Sequence, residues 1–166
     1  MKTFNFFMLF IFLQSGLQFV FADDNSYISI HAGTNSEKSK ISLVVIDPTG
    51  KREGFLPSGL RLHEILHCGY TTTRLGDPIT GPDEFDTETI ELGCSPINTG
   101  TYIINVYGLK DTFFWISIRS ADTTGSIENS KFYDFSGSIS SNSVLEYKIY
   151  LDPTPGAPPP VITKLV

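Results

Sequence analysis

Val144-Leu145-Glu146-Tyr147-Lys148-Ile149-Tyr150-Leu151 decides the fold class. Extended, it puts Leu145, Tyr147, Ile149 and Leu151 on one side and Val144, Glu146, Lys148 and Tyr150 on the other. That period of two belongs to a half-buried strand, since a helix repeats every 3.6 residues. Working outward, residues 101–107 put Tyr102, Ile104 and Val106 on one face, directly after the turn residues Asn98-Thr99-Gly100. Residues 113–118 are aromatic and β-branched, and residues 87–92 alternate again. Ser42-Leu43-Val44-Val45-Ile46 is stopped by Asp47-Pro48-Thr49-Gly50, in which Pro presets φ and Gly accepts a positive one. Residues 27–30 form a further short strand. About seven such strands separated by Gly, Pro, Asp and Asn turns predict an all-β, antiparallel β-sandwich, immunoglobulin-like or jelly-roll-like.

The chain has 166 residues, 40% of them hydrophobic and 18% charged, which suits one globular domain and excludes a collagen, a coiled coil or wholesale disorder. Its 12 Lys and Arg against 18 Asp and Glu give a formal charge of −6 and no cationic footprint for nucleic acid. Residues 1–22 have the pattern of a secretory signal peptide: Lys2, an apolar run from Phe4 to Leu13, then Val20-Phe21-Ala22 before Asp23. Cleavage after Ala22 removes one lysine and no acid, so the processed chain is more negative still. No later run is apolar enough to span a bilayer. The expected organisation is a signal peptide over 1–22, a β-sandwich over 23–151 and a Pro-rich tail over 152–166, in a secreted, periplasmic or extracellular protein. The tail contains Asp152-Pro153-Thr154-Pro155-Gly156 and three further prolines at 158–160, so it reads as an extended linker, followed by one docked edge strand or a frayed end.

Cys68 and Cys94 both lie in the exported part. An oxidising compartment permits a disulfide between them worth about 3 kcal/mol; two separate buried thiols are the alternative. The aromatic residues Tyr102, Tyr107, Phe113, Phe114, Trp115, Tyr147 and Tyr150 are expected to fill the core. A sugar-binding surface would need several rings on one exposed platform, and the alternation is expected to turn most of them inward.

Two patterns carry candidate chemistry. His63-Glu64-Ile65-Leu66-His67 matches H-E-x-x-H, in which one helical turn brings two imidazoles onto Zn²⁺ and the Glu polarises the bound water. The extended form fails, with Tyr70 and Thr73 where Gly and a third His belong, and no second zinc helix is evident. The acidic stretch Asp77, Asp83, Glu84 and Asp86, continued by Glu88 and Glu91, has no Lys or Arg from Leu75 to Leu109. It is a candidate calcium site, because Ca²⁺ takes about six to eight oxygens. Solvated loop charge is the plainer explanation. No other cofactor is expected.

The order of several segments resembles a family of uncharacterised bacterial secreted all-β domains. They are Asp47-Pro48-Thr49-Gly50-Lys51-Arg52-Glu53-Gly54-Phe55, Glu64-Ile65 with Tyr70, Asp77-Pro78-Ile79-Thr80-Gly81, Ser95-Pro96 through Gly100-Thr101-Tyr102, Phe135-Ser136-Gly137, and the Pro-Thr-Pro-Gly of the tail. The resemblance implies a non-catalytic module that packs against or binds a cell-surface or extracellular component, and it transfers no catalytic residue. The expected protein is therefore not an enzyme; the alternative is a small secreted zinc peptidase with His63 and His67 as ligands and Glu64 as base.

Overall fold

The computed structural model describes residues 24–34, 40–75 and 87–165. The expected leader, and the acidic residues Asp77, Asp83, Glu84 and Asp86, lie outside the described residues. Eleven strands form two sheets: β1 (Tyr27–Thr34), β2 (Ile41–Ile46), β3 (Arg52–Phe55), β4 (Arg61–His63), β5 (Cys68–Leu75), β6 (Thr87–Cys94), β7 (Gly100–Gly108), β8 (Thr112–Ala121), β9 (Lys131–Ile139), β10 (Val144–Leu151) and β11 (Ile162–Lys164). The five-stranded sheet runs β5-β6-β1-β8-β9 and the six-stranded sheet β11-β10-β7-β2-β3-β4. Every neighbouring pair is antiparallel. Among the described residues the one helical element is a single 3₁₀ turn at Ile127–Asn129. None is a helix long and apolar enough to cross a membrane.

The period-two segments form the middle of both sheets, as their patterning requires. Ile30, Leu92 and Ile118 on one sheet face Leu43, Ile104 and Ile149 on the other, all fully buried. Burial of such side chains supplies the main driving force, at roughly 25 cal/mol per Å² of apolar surface. The count of about seven strands is corrected to eleven among the described residues. Of the additional ones, β3 and β4 are short and place Glu53, Arg61 and His63 on their inward side, whereas β9 does alternate, with Tyr133, Phe135 and Ile139 inward.

Of the two endings expected for the tail, a docked edge strand is the one observed. The Thr123 amide donates to the Pro153 carbonyl at 2.9 Å, and Leu165 N to Glu146 O at 2.8 Å, so β11 docks on β10 and closes that edge of the six-stranded sheet.

Strand β3 depends on Gly54. Its φ of 131° is open to glycine, and a Cβ there would collide with the Leu43 carbonyl. The hairpin arm β3–β4 can therefore lie close against β2, with Leu62 opposite Gly54 and Val44 on the outer side.

Candidate functional site

The H-E-x-x-H segment forms no helix. Its first residue ends β4, residues 66–67 are a turn closed by Cys68 N donating to Ile65 O at 3.2 Å, and β5 begins at Cys68. This corrects the geometry on which the zinc alternative rested, because a strand end and a turn do not set two imidazoles one helical turn apart. Glu64 and His63 each have another partner. Glu64 reaches the outside of the six-stranded sheet and takes a two-pronged bond from Arg52, with Nη2 at 2.6 Å from Oε1 and Nε at 3.1 Å from Oε2. That bond holds the Glu64 carboxyl below its usual range and raises the Arg52 guanidinium. His63 instead points inward. A carboxylate can only accept, so His63 Nδ1–H donates to Oε2 of Glu53 at 2.7 Å. The Glu53 side chain is fully buried, its Oε1 has no hydrogen-bond partner among the described residues, and Arg61 Nη2 stands 3.9 Å from that atom. Beside this pair the Phe55 and Tyr70 rings meet at 4.8 Å across the two sheets, and burial pushes the Tyr70 hydroxyl up to about 12. Leu66 and His67 are exposed, and among the described residues no group of three or more His, Cys, Asp and Glu is placed to hold a metal.

Cys68 and Cys94 are joined in a disulfide. They sit directly opposite on β5 and β6, and the next pair out carries a ladder bond, Ser95 N to His67 O at 3.0 Å. The cysteines thus occupy a non-hydrogen-bonded position, where facing residues come closest; their Cα atoms are 4.0 Å apart.

The carboxylates with lowered pKa set a pH dependence. Asp122 is held below its usual range chiefly by the Thr124 hydroxyl and Asp152 by that of Thr154, as Glu64 is by Arg52. Each group binds its proton less readily folded than unfolded. Its contribution is complete above the unfolded pKa and is lost as pH falls through the lowered folded value. The urea midpoint should fall steadily from about pH 5 toward pH 2, and less steeply in Glu64→Gln; a flat profile would contradict these assignments.

The outward face of the five-stranded sheet carries the functional candidates that sequence reasoning missed. The register assembles three rows across it. The first is Gly69, Gly93, Ser29, Arg119 and Phe132; the second Thr71, Glu91, His31, Ser117 and Asp134; the third Thr89, Gly33, Trp115 and Ser136. Rings expected in the core stand outside instead. Phe114, Tyr102 and Tyr147 are buried, whereas Trp115 and Phe113 point outward from β8, Phe113 is 49% exposed and Phe132 60%. Tyr107 and Tyr150 lie on the outer side of the other sheet.

Gly33 makes room for the indole of Trp115. A Cβ at Gly33 would stand 2.9 to 3.1 Å from three successive indole atoms, Cζ2, Cε2 and Nε1, so the ring lies across the glycine on the surface of the sheet. Trp115 is the chain's single tryptophan, which gives a direct check. Gly33→Val should lift the indole off the sheet and shift its emission to the red; an unchanged spectrum would contradict the packing.

Two steps along β8, Arg119 is pinned between rings, its guanidinium carbon 5.5 Å from the Tyr27 centroid and 5.1 Å from that of Phe132. Its Nη2 donates to Ser130 Oγ at 3.3 Å, and no carboxylate among the described residues pairs with it. His31 sits between Ser29, with Nε2 3.0 Å from Oγ, and Glu91, with Nδ1 3.8 Å from Oε1. Ser117 and Asp134 have no side-chain partner among the described residues. At Phe132 and Asp134 the face runs into an open groove of about 660 Å³ between β9 and β11, lined also by Tyr133, Phe135 and Tyr147.

The chain matches no protein-family model, and no curated protein or solved structure is significantly similar to it.

Proposed function

We propose that this protein is an exported, non-catalytic β-sandwich module that binds a cell-surface or extracellular component through the outer face of its five-stranded sheet. The observation that carries this reading is Trp115 laid across Gly33, with Ser117, Arg119, His31 and Asp134 around it. A ring seated on a rigid sheet and flanked by a few polar groups has the make-up of a recognition site. Export is supported by the apolar leader pattern of residues 1–22 and by a disulfide, which persists in oxidising compartments. The order of motifs that resembles bacterial secreted β-domains is in keeping with both.

The test is saturable binding of the labelled protein to bacterial envelope fragments, with loss of binding in Trp115→Ala combined with Arg119→Ala. Equal binding by that variant, or no saturable binding by the natural chain, would refute the reading. N-terminal sequencing of the exported protein should begin at Asp23.

A further inference from the structure

We infer that the face around Trp115 binds an uncharged saccharide chain; this rests on the proposed binding function and names its ligand. Charge makes the first selection. Positive Arg119 and the imidazole of His31 alternate with the carboxylates of Glu91 and Asp134 within two adjacent rows, on a chain of formal charge −6. A polyanion gains nothing from such a balanced surface on an acidic protein, and a polycation would meet the pinned Arg119.

Chemistry makes the second selection. The centre of a protein–protein interface is depleted of charged residues, whereas the middle row here is Thr71, Glu91, His31, Ser117 and Asp134. Every one of these can give or take a hydrogen bond with a hydroxyl group, and Ser117 and Asp134 have no competing side-chain partner among the described residues. A sugar ring offers hydroxyls around its rim and C–H bonds on its face. The rim matches the polar row, and the C–H face matches an indole that lies across the sheet, with the exposed Phe132 ring on the same outward face as a second platform ring. More than one ring thus stands outside, contrary to the inward turn expected from the sequence. No apolar ligand would use the row, and no simple polar ion would use the ring.

Shape makes the third. Trp115, Ser117 and Arg119 follow one another along β8 at steps of about 6.8 Å, and Gly69 and Gly93 leave the far side of the face without side chains, with open space above Gly69. On the opposite side Phe132 and Asp134 lead into the groove between β9 and β11. The site is long and open at both ends, which fits a polymer rather than a monosaccharide.

The experiment is affinity electrophoresis of the purified protein through gels containing hydroxyethylcellulose, xyloglucan, galactomannan or laminarin as neutral polymers, and alginate or polygalacturonate as acidic ones. At least one neutral polymer should retard the protein. Trp115→Ala should weaken that retention by about tenfold or more. Asp134→Ala, at an exposed position on an edge strand where folding is not at stake, should weaken it several-fold. Retention by acidic polymers alone, retention unaffected by either substitution, or none by any neutral polymer would overturn the inference. Saturable envelope binding that needs Trp115 but has no counterpart among these gels would leave the binding face standing and remove the saccharide; loss of both would remove both.

Discussion

Replacing Cys68 and Cys94 together by alanine should lower the unfolding free energy by about 3 kcal/mol. The bridge closes a loop with a sequence separation of 26, and the chain-entropy cost of leaving that loop open in the unfolded state sets the magnitude. The effect should also be local. β5 is an edge strand held by β6 alone within its sheet, and the cysteines pin the end of that pair nearest the turn at residues 66–67. Amide exchange in β5 should therefore quicken more than in β1 or β8. Chemical denaturation of the double variant gives the total. A change of under about 1 kcal/mol would mean that the edge is fixed by packing instead.

The second large effect concerns Glu53. His63→Ala should cost about 3 kcal/mol at neutral pH, because it strips the one hydrogen-bonded side-chain partner that a fully buried carboxylate has among the described residues and leaves Arg61 at 3.9 Å. The low end of the usual range applies, since His63 is itself 51% exposed and water can partly replace it. Changing both residues, Glu53→Leu with His63→Leu, should cost far less than His63→Ala alone, because no buried carboxylate is then left without a partner. Denaturation of these variants and of the single substitutions Glu53→Leu and His63→Leu decides the matter. Additive losses would show that the residues do not act as a pair.

These two sites also mark where sequence reasoning reached and where it stopped. Strand β10 was legible to its ends, because every second residue from Leu145 to Leu151 is apolar. Strand β3 was not, since its inward positions are Glu53 and Phe55 around a glycine that only glycine's backbone freedom allows. Strand β4 is three residues long and presents Arg61 and His63 on the same side as Glu53, inverting the pattern by which strands are recognised. The same His63 began a zinc-like motif, and only the tertiary pairing with Glu53 identifies it as a support for a buried carboxylate.

The candidate site was hidden for a different reason. Phe113, Phe114 and Trp115 are consecutive aromatics, so composition gives no phase: either Phe114 or its two neighbours face the core. The pairing with β1 resolves it, placing Phe114 opposite Thr34 and Trp115 opposite Gly33. The signal available in the sequence was Phe114-x-Ile116-x-Ile118, whose apolar alternation continues through Phe114 and leaves Trp115, Ser117 and Arg119 outside. Strand β9 carried the same kind of alternation, Tyr133, Phe135 and Ile139 against Asp134, Ser136 and Ser138.

We propose that ligand binds where Trp115 crosses Gly33. With a single tryptophan in the chain, acrylamide quenching of its fluorescence, with and without saturating envelope fragments, reports on that position alone. Binding should shield the indole and lower the quenching constant at least about twofold. Quenching that stays the same while the protein is fully bound would place the ligand elsewhere and contradict the account.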